Sequence, residues 1–529
     1  MGRPKPPASP IAGAVGGVGG VGGGVGGRLL EGSGPQLIHS AHRLELQSAD
    51  ALLPSLILAD LAHILVLLDN DLVPREAGEH LLTALLELRQ AGLAGAPPVA
   101  DEQGKAGALV PDPALGDLPM NREAWVRARV GAAAGYLLVG RPRREAVTVA
   151  FHLAMRDRIL ALADVLEHLQ RSLVDLAAGH IRTLAVDYTY WQPAQATTLA
   201  HSLLAYVYPL GREVDRLRSV FGRTNLSPAG AGCTNGAGIP IDRAALASLL
   251  GFDGIVLHSR DATWQPDLAL ELTSVAASTG LALDRLAEDL QIWTTSEFGF
   301  VELADQAARA SLAMPQKKNP YALIFVRGAA TRLLGRLAGA GALAKAASGQ
   351  PDQRIFAQDE VPAALELAEQ SAALLVEVIA GVRFDEVRLA AAARRGYLAG
   401  NDLAERIMYS SDLSFGEAHR IVGAAVRRAL AADHDAGGID AATLDAAAFE
   451  VHGAKLGLSD AEVRDALDPE AAVARRTGIG GAAPASVRSL LVERRRELRR
   501  QRAWVAARRA AIDQATEDLL TRARAFGAP

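Results

Sequence analysis

The sequence predicts an all-α protein. Half of its 529 residues are hydrophobic while only 5% are aromatic. Ala, Leu and Arg abound where strands would call for β-branched and aromatic residues, and alternating β-branched runs are almost absent. Apolar residues instead recur at helical spacing. The clearest stripe is Ile159, Leu162, Leu166, Leu169, Leu173 and Leu176, which steps by three and four and lines one helix face. A chain of this length and apolar content has material to bury two or three contiguous helical domains, which follow a leading tail.

Residues 1–35 form that tail, so rich in Gly and Pro that ordering them costs entropy for little burial. Residues 36–139 read as a small N-terminal helical domain whose helices are separated by breakers, Gly95-Ala-Pro-Pro98 and the Pro111/Pro113 loop. The central domain, 140–387, holds the leucine stripe and reads as a bundle of long helices. A Gly-rich run, Ser227 to Gly238, breaks the helical pattern there. It reads as a loop, either a plain connector or one whose backbone N–H groups wrap an anion; no Walker Lys-Ser/Thr follows it. Residues 388–529 return to shorter helices. Their last segment, Val487 to Ala525, carries an Arg/Glu run from Glu493 to Arg502 that reads as a solvated helix face with i, i+4 pairs.

A formal net charge of −5 over mixed-sign segments gives no basic footprint for nucleic acid, and the expected partner is a small molecule. The single cysteine, Cys233, allows neither an intramolecular disulfide nor a cysteine metal cluster, consistent with the reducing cytoplasm. Leu52 to Leu68 is the longest apolar stretch. Asp60 and His63 interrupt it, so it reads as a packed helix and no membrane partner is expected. The start of the chain lacks the apolar block of a signal peptide.

The chemistry concentrates in Ser311-Leu-Ala-Met-Pro-Gln-Lys-Lys-Asn-Pro320. Two prolines keep this segment out of a continuous helix. A loop that gathers a hydroxyl, two ammonium groups and a carboxamide suits the binding and polarising of a carboxylate. Met314 to Pro320 resembles the MPxKxNP signature of the aspartase/fumarase superfamily, in the version seen in argininosuccinate lyases. The resemblance runs over roughly 36–430, through Pro240-Ile-Asp-Arg, Ile292 to Asp305, Gly396 to Ala404 and Phe415 to Gly423.

That resemblance implies a three-domain α fold whose central helices assemble into a homotetramer, with each active site built from three subunits. It implies β-elimination from a substituted succinate to give fumarate, without metal or organic cofactor. Ser311 takes the place of the family's general base, although the neighbouring Gly and second Ser are Ala310 and Leu312 here. Lys317 and Asn319 match the residues that hold the carboxylate beside the acidified carbon, and Met314 belongs to the same substrate-contacting signature. Donors fixed there stabilise the transition state more than the ground state, because charge flows into that carboxylate as the proton leaves. Thr189 and Gln192 resemble the family's Thr-His-Leu-Gln substrate-binding stretch. Beyond them, on the helix expected to carry Thr189, His201 reads as a packed or capping histidine.

The departures concern the leaving group. Tyr190 stands where the family has a His, Ile324 where that His has its carboxylate partner, and Pro119 where a second His is expected. No imidazole is left to protonate a departing nitrogen. Gly140-Arg-Pro-Arg-Arg-Glu145 replaces Gly-Arg-Ser-Arg-Asn-Asp, and Asp352 to Glu360 lacks several residues that grip the guanidino end in argininosuccinate lyases. A leaving group that departs as a stable anion needs no general acid. Nitrite is such a group, and in this respect the chain resembles the nitrosuccinate lyases of secondary metabolism and antibiotic biosynthesis. Arg143, Arg144 and Arg327 are candidates to hold carboxylate and nitro oxygens, or to serve subunit contacts. Argininosuccinate cleavage and a non-catalytic structural homologue are the alternatives.

Overall fold

The computed structural model describes residues 32–93, 107–264, 266–345, 354–434 and 438–527; the tail up to residue 31, the Gly95 to Pro98 breaker, and Asp352 and Gln353 of the guanidino-grip stretch lie outside the described residues. The chain divides into two compact units. One comprises 1–151, 228–250 and 518–529, the other 152–227 and 251–517.

In the first unit, helix α1 (Ala49–Asp69) packs on α2 (Arg75–Ala91), which in turn contacts α3 (Leu118–Val130). The apolar stretch of α1 is core on nearly every side: Leu52, Leu56, Leu61, Ile64, Leu65 and Leu67 are all buried. Pro35–Asp69 is long and apolar enough to cross a membrane by length and composition, yet 78% of its most apolar window is buried inside the protein. Its two polar interruptions point inward. Asp60 is fully buried and accepts from Arg122 at 2.5 Å and from Arg141 with its other carboxylate oxygen. Arg141 also donates to the Ala59 carbonyl at 3.2 Å. Burying two guanidinium groups is tolerable because this one carboxylate faces both. His63 bonds the Val139 carbonyl at 3.1 Å, and burial, reinforced by Arg141, drives its pKa well below the usual range.

The second unit is built on long helices, which the Ala/Leu-rich sequence favours and whose apolar faces supply the packing. Helix α4 (Arg143–Gly179) places Ile159, Leu162, Leu166, Leu169 and Leu173 in full burial, with Leu176 half-buried. Helix α5 (Leu199–Thr224) packs on α6 (Pro266–Trp293), and α6 also packs on α7 (Tyr321–Ala344) and α8 (Arg354–Gly381). The helix Pro484–Gly527 buries Leu491, Leu498, Val505 and Ile512, one residue per heptad; most of the charged run between them is exposed, but Arg494 and Glu497 are partly buried and Gln501 is buried. A smaller core joins the helices Gly400–Ser410, Phe415–Ala431, Ala441–His452 and Asp460–Leu467 through Leu403, Ile407, Ile421, Leu444 and Val463. Ser414 with Glu417, and Ser459 with Glu462, close reciprocal capping boxes at two of these helices.

One element departs from the sequence expectation. Thr189 and Gln192 do not lie on a helix but in a hairpin of β1 (Leu184–Thr189) and β2 (Gln192–Thr198), antiparallel, with Thr189 opposite Gln192. The physical reasons are local. Pro193 obstructs a helix through this region, and Thr198 caps α5 by accepting the His201 N–H at 3.2 Å, so the helix begins only at Leu199.

Candidate active site

The signature loop is a hairpin. Two short strands, β3 (Arg309–Ala310) and β4 (Lys318–Asn319), pair antiparallel and present the residues between them. The Ser311 N–H bonds the Lys317 carbonyl at 3.3 Å, and the Lys317 N–H bonds the Met314 carbonyl at 3.0 Å, closing the turn that Pro315 bends. The Ser311 hydroxyl oxygen accepts the Met314 backbone N–H at 3.1 Å. A donor aimed at that oxygen favours its deprotonated form over the neutral one. Ser311, Met314, Lys317 and Asn319 are thus brought together by one turn.

The two neighbouring lysines play different parts. Lys318 is spent on structure: its ammonium donates to the Leu303 carbonyl at 2.6 Å and pairs with Asp305 at 2.7 Å and Glu302 at 3.6 Å. The hydrogen bond to Asp305 raises the Lys318 pKa and lowers that of Asp305. Lys317 is exposed, and its ammonium makes no ion pair with the described residues. Asn319 donates to the Arg309 carbonyl at 3.1 Å and so ties the two strands, while Arg309 stacks over Tyr321 at 5.0 Å. Leu312 is fully exposed and Met314 44% exposed at the tip.

Thr189 and Gln192 close the other hairpin. Tyr188, beside Thr189, makes an edge contact with Phe298 at 5.5 Å, and Phe298 makes another with Phe300 at 5.5 Å. These rings set the β1–β2 hairpin beside the segment that leads into the signature loop. At its far end, Thr197 meets His201 Nδ1 at 3.2 Å, and His201 Nε2 bonds the Gly480 carbonyl at 3.0 Å. His201 is therefore a link between segments. Asp187 accepts from Ser202 at 3.1 Å, and burial raises its pKa.

The three arginines are placed differently. Arg327 is engaged by α6, with Glu288 at 2.7 Å, Gln291 at 3.0 Å and Asp284 at 3.4 Å. Acceptors at positions 284, 288 and 291 share one helix face, so the guanidinium acts as a staple between α6 and α7 instead of standing ready for an anion. Arg143 and Arg144 belong to the first unit, at the start of α4. Arg143 pairs with Asp117 at 3.1 Å and touches the Met120 sulfur at 3.3 Å. Arg144 is half-buried, and burial together with Arg143 lowers its pKa.

Sequence reasoning missed Glu145. This residue is fully buried, and its two carboxylate oxygens accept the N–H groups of Gly230 at 2.7 Å and Gly232 at 2.5 Å. The Gly-rich run wraps a carboxyl group, one supplied by the chain itself. Both glycines have positive φ, 72° and 67°, and a Cβ on Gly232 would come within 2.5 Å of the Gly236 carbonyl oxygen. Burial pushes Glu145 up to about 7, against the opposing pull of Arg141, the two N–H groups and Arg243. The signal was present in the sequence as an acid on the stripe shared with Ala146, Val149 and Leu153. Among the described residues, no group of three or more His, Cys, Asp or Glu side chains could hold a metal ion.

Fold and signature hairpin define a helical lyase, and comparison with known proteins gives its family. Residues 116–335 match the family described as Lyase, and residues 397–474 the one described as Argininosuccinate lyase C-terminal. An argininosuccinate lyase of Methanoculleus marisnigri is 36% identical over 479 residues, covering 89% of this chain and 93% of the relative. One from Chromobacterium violaceum is 35% identical over 399 residues, covering 74% and 84%. Among solved structures, an EDDS lyase variant with bound fumarate superposes with a TM-score of 0.81 at 27% identity, covering 94% of this chain and 97% of that one. The chain belongs to the aspartase/fumarase superfamily of lyases, in its argininosuccinate lyase-like branch.

Proposed function

We propose that the protein is a carbon–nitrogen lyase that eliminates a leaving group from a substituted succinate to release fumarate, with Ser311 as general base. The observation that carries this reading is the Met314 N–H held on the Ser311 hydroxyl oxygen inside the signature hairpin. In the reaction the Ser311 alkoxide takes the proton from the carbon beside one carboxylate. The electron pair moves into that carboxylate, where Lys317 and Asn319 stabilise the added charge, with Met314, Thr189 and Gln192 enclosing the succinate portion. Collapse forms the alkene, and the leaving group departs with the bonding electrons. The site is completed in a homotetramer, a reading supported by the exposure of Leu312 and Met314 in the single chain.

For the leaving group, nitrite from nitrosuccinate is the sharper reading, supported by Tyr190, Ile324 and Pro119 at positions where a proton donor and its partner are expected. Argininosuccinate is the second reading, favoured by the relatives named for that substrate. Arg143 and Arg144 would serve either as anion holders. The test is a panel of nitrosuccinate, argininosuccinate, aspartate and malate, with fumarate followed by ultraviolet absorbance and nitrite by a colour reaction. Equal fumarate and nitrite from nitrosuccinate supports the first reading, and arginine release supports the second. In either case Ser311→Ala lowers kcat by about 10²- to 10⁴-fold; near-normal turnover in that variant refutes the role of Ser311.

A further inference from the structure

The β1–β2 hairpin turns through two residues, Tyr190 and Trp191, and both have positive φ, 53° and 59°. Two-residue hairpin turns of this hand take Asn-Gly or Asp-Gly, because L side chains resist the left-handed region. Two bulky aromatics in sequence are a poor choice for the backbone. Nor do they gain much from packing, since Tyr190 is 98% exposed and Trp191 55%. The Tyr190 phenol makes no hydrogen bond with the described residues. Strain retained without internal compensation points to use of the side chains outside the chain's own fold. Thr189 and Gln192 directly flank the turn.

We infer that Tyr190 and Trp191 form an aromatic clasp that selects a planar, delocalised leaving group on the succinate, which they stack against as Thr189 and Gln192 hold the succinate itself. Nitro and guanidinium groups are both flat and delocalised, and both suit an aromatic face. Ammonia and hydroxide offer no such surface, so aspartate and malate gain nothing from the clasp. The inference rests on the proposed elimination at the Ser311 site and adds its specificity element.

The double variant Tyr190→Asn with Trp191→Gly tests this, because Asn-Gly keeps the turn and removes both rings. Purified variant and wild type are compared in thermal unfolding, in size, and in kcat/KM on nitrosuccinate, argininosuccinate and aspartate. The expected result is a raised Tm, an unchanged assembly, and a loss of about tenfold or more in kcat/KM on whichever planar-group substrate the wild type turns over, with no loss on aspartate. Tyr190→Phe, which keeps the ring, retains most of the activity. Unchanged kcat/KM with a raised Tm overturns the clasp, as does a lowered Tm, which would show that the rings pack within the assembly. Failure of the wild type to form fumarate from any of these substrates overturns the parent reading, and the clasp with it; loss of the clasp alone leaves Ser311-dependent fumarate release intact.

Discussion

Glu145 offers a pH dependence whose sign and size follow from its surroundings. Burial raises its carboxyl from the ordinary 4.5 to about 7, so the folded protein holds this proton more tightly than the unfolded chain does. The stabilising contribution is therefore fully present below pH 4.5 and is lost as pH rises through about 7. A shift of that size corresponds to about 3 kcal/mol between the two ends of the window. Glu145→Gln removes the titration while keeping the shape of the neutral acid. Its amide still accepts one of the Gly230 and Gly232 N–H groups, leaving a constant offset. Urea midpoints of wild type and Glu145→Gln, measured across the window, should converge or cross as pH rises, with the wild type losing its relative advantage. Other carboxyls raised by burial, such as Asp157, Glu213 and Asp402, titrate in both proteins and cancel in the difference. A difference that stays constant with pH would refute the reasoning, because it would mean that the two N–H groups and Arg141 keep Glu145 ionised despite its burial.

Asp60→Asn leaves Arg122 and Arg141 buried without a counter-charge, and a loss of about 3–5 kcal/mol in unfolding free energy is expected; a loss below about 1 kcal/mol by urea denaturation would disprove the pairing. Lys317→Met and Lys318→Met should separate chemistry from support. The first lowers kcat by about 100-fold with little change in Tm, whereas the second, which unties the hairpin from Leu303 and Asp305, acts mainly on KM. Reversal of these two patterns in steady-state kinetics would exchange the roles given to the lysines.

Much of the fold was legible because helical periodicity is a local property. The stripe from Ile159 to Leu173 is buried as its spacing requires, and the Arg/Glu run ending at Arg502 is mostly exposed, with Arg494, Glu497, Leu498 and Gln501 turned partly or wholly inward. The prolines at 315 and 320 likewise announced that the signature segment could not be helix, although not that it would close as a hairpin. The β1–β2 hairpin escaped because a resemblance to a substrate-binding stretch carries residue types and not backbone conformation. The helix expected at Thr189 begins only at Leu199, because Pro193 and the Thr198 cap push its start downstream.

Sequence by itself determined which residues the proposed chemistry draws on: a serine, a lysine and an asparagine within ten positions, close enough in the chain for one turn to bring them together. It also determined the family, because a run such as Met314 to Pro320 carries its own identity. Tertiary structure alone decided which like groups are committed. Lys318 and Arg327 are held by carboxylates that lie more than ten residues away, at Asp305, Asp284 and Glu288, whereas Lys317 stands apart from them. Glu145 finds its partners 85 and 87 residues further on. Charge pairing and burial depend on distances in space, and a sequence records only distances along the chain.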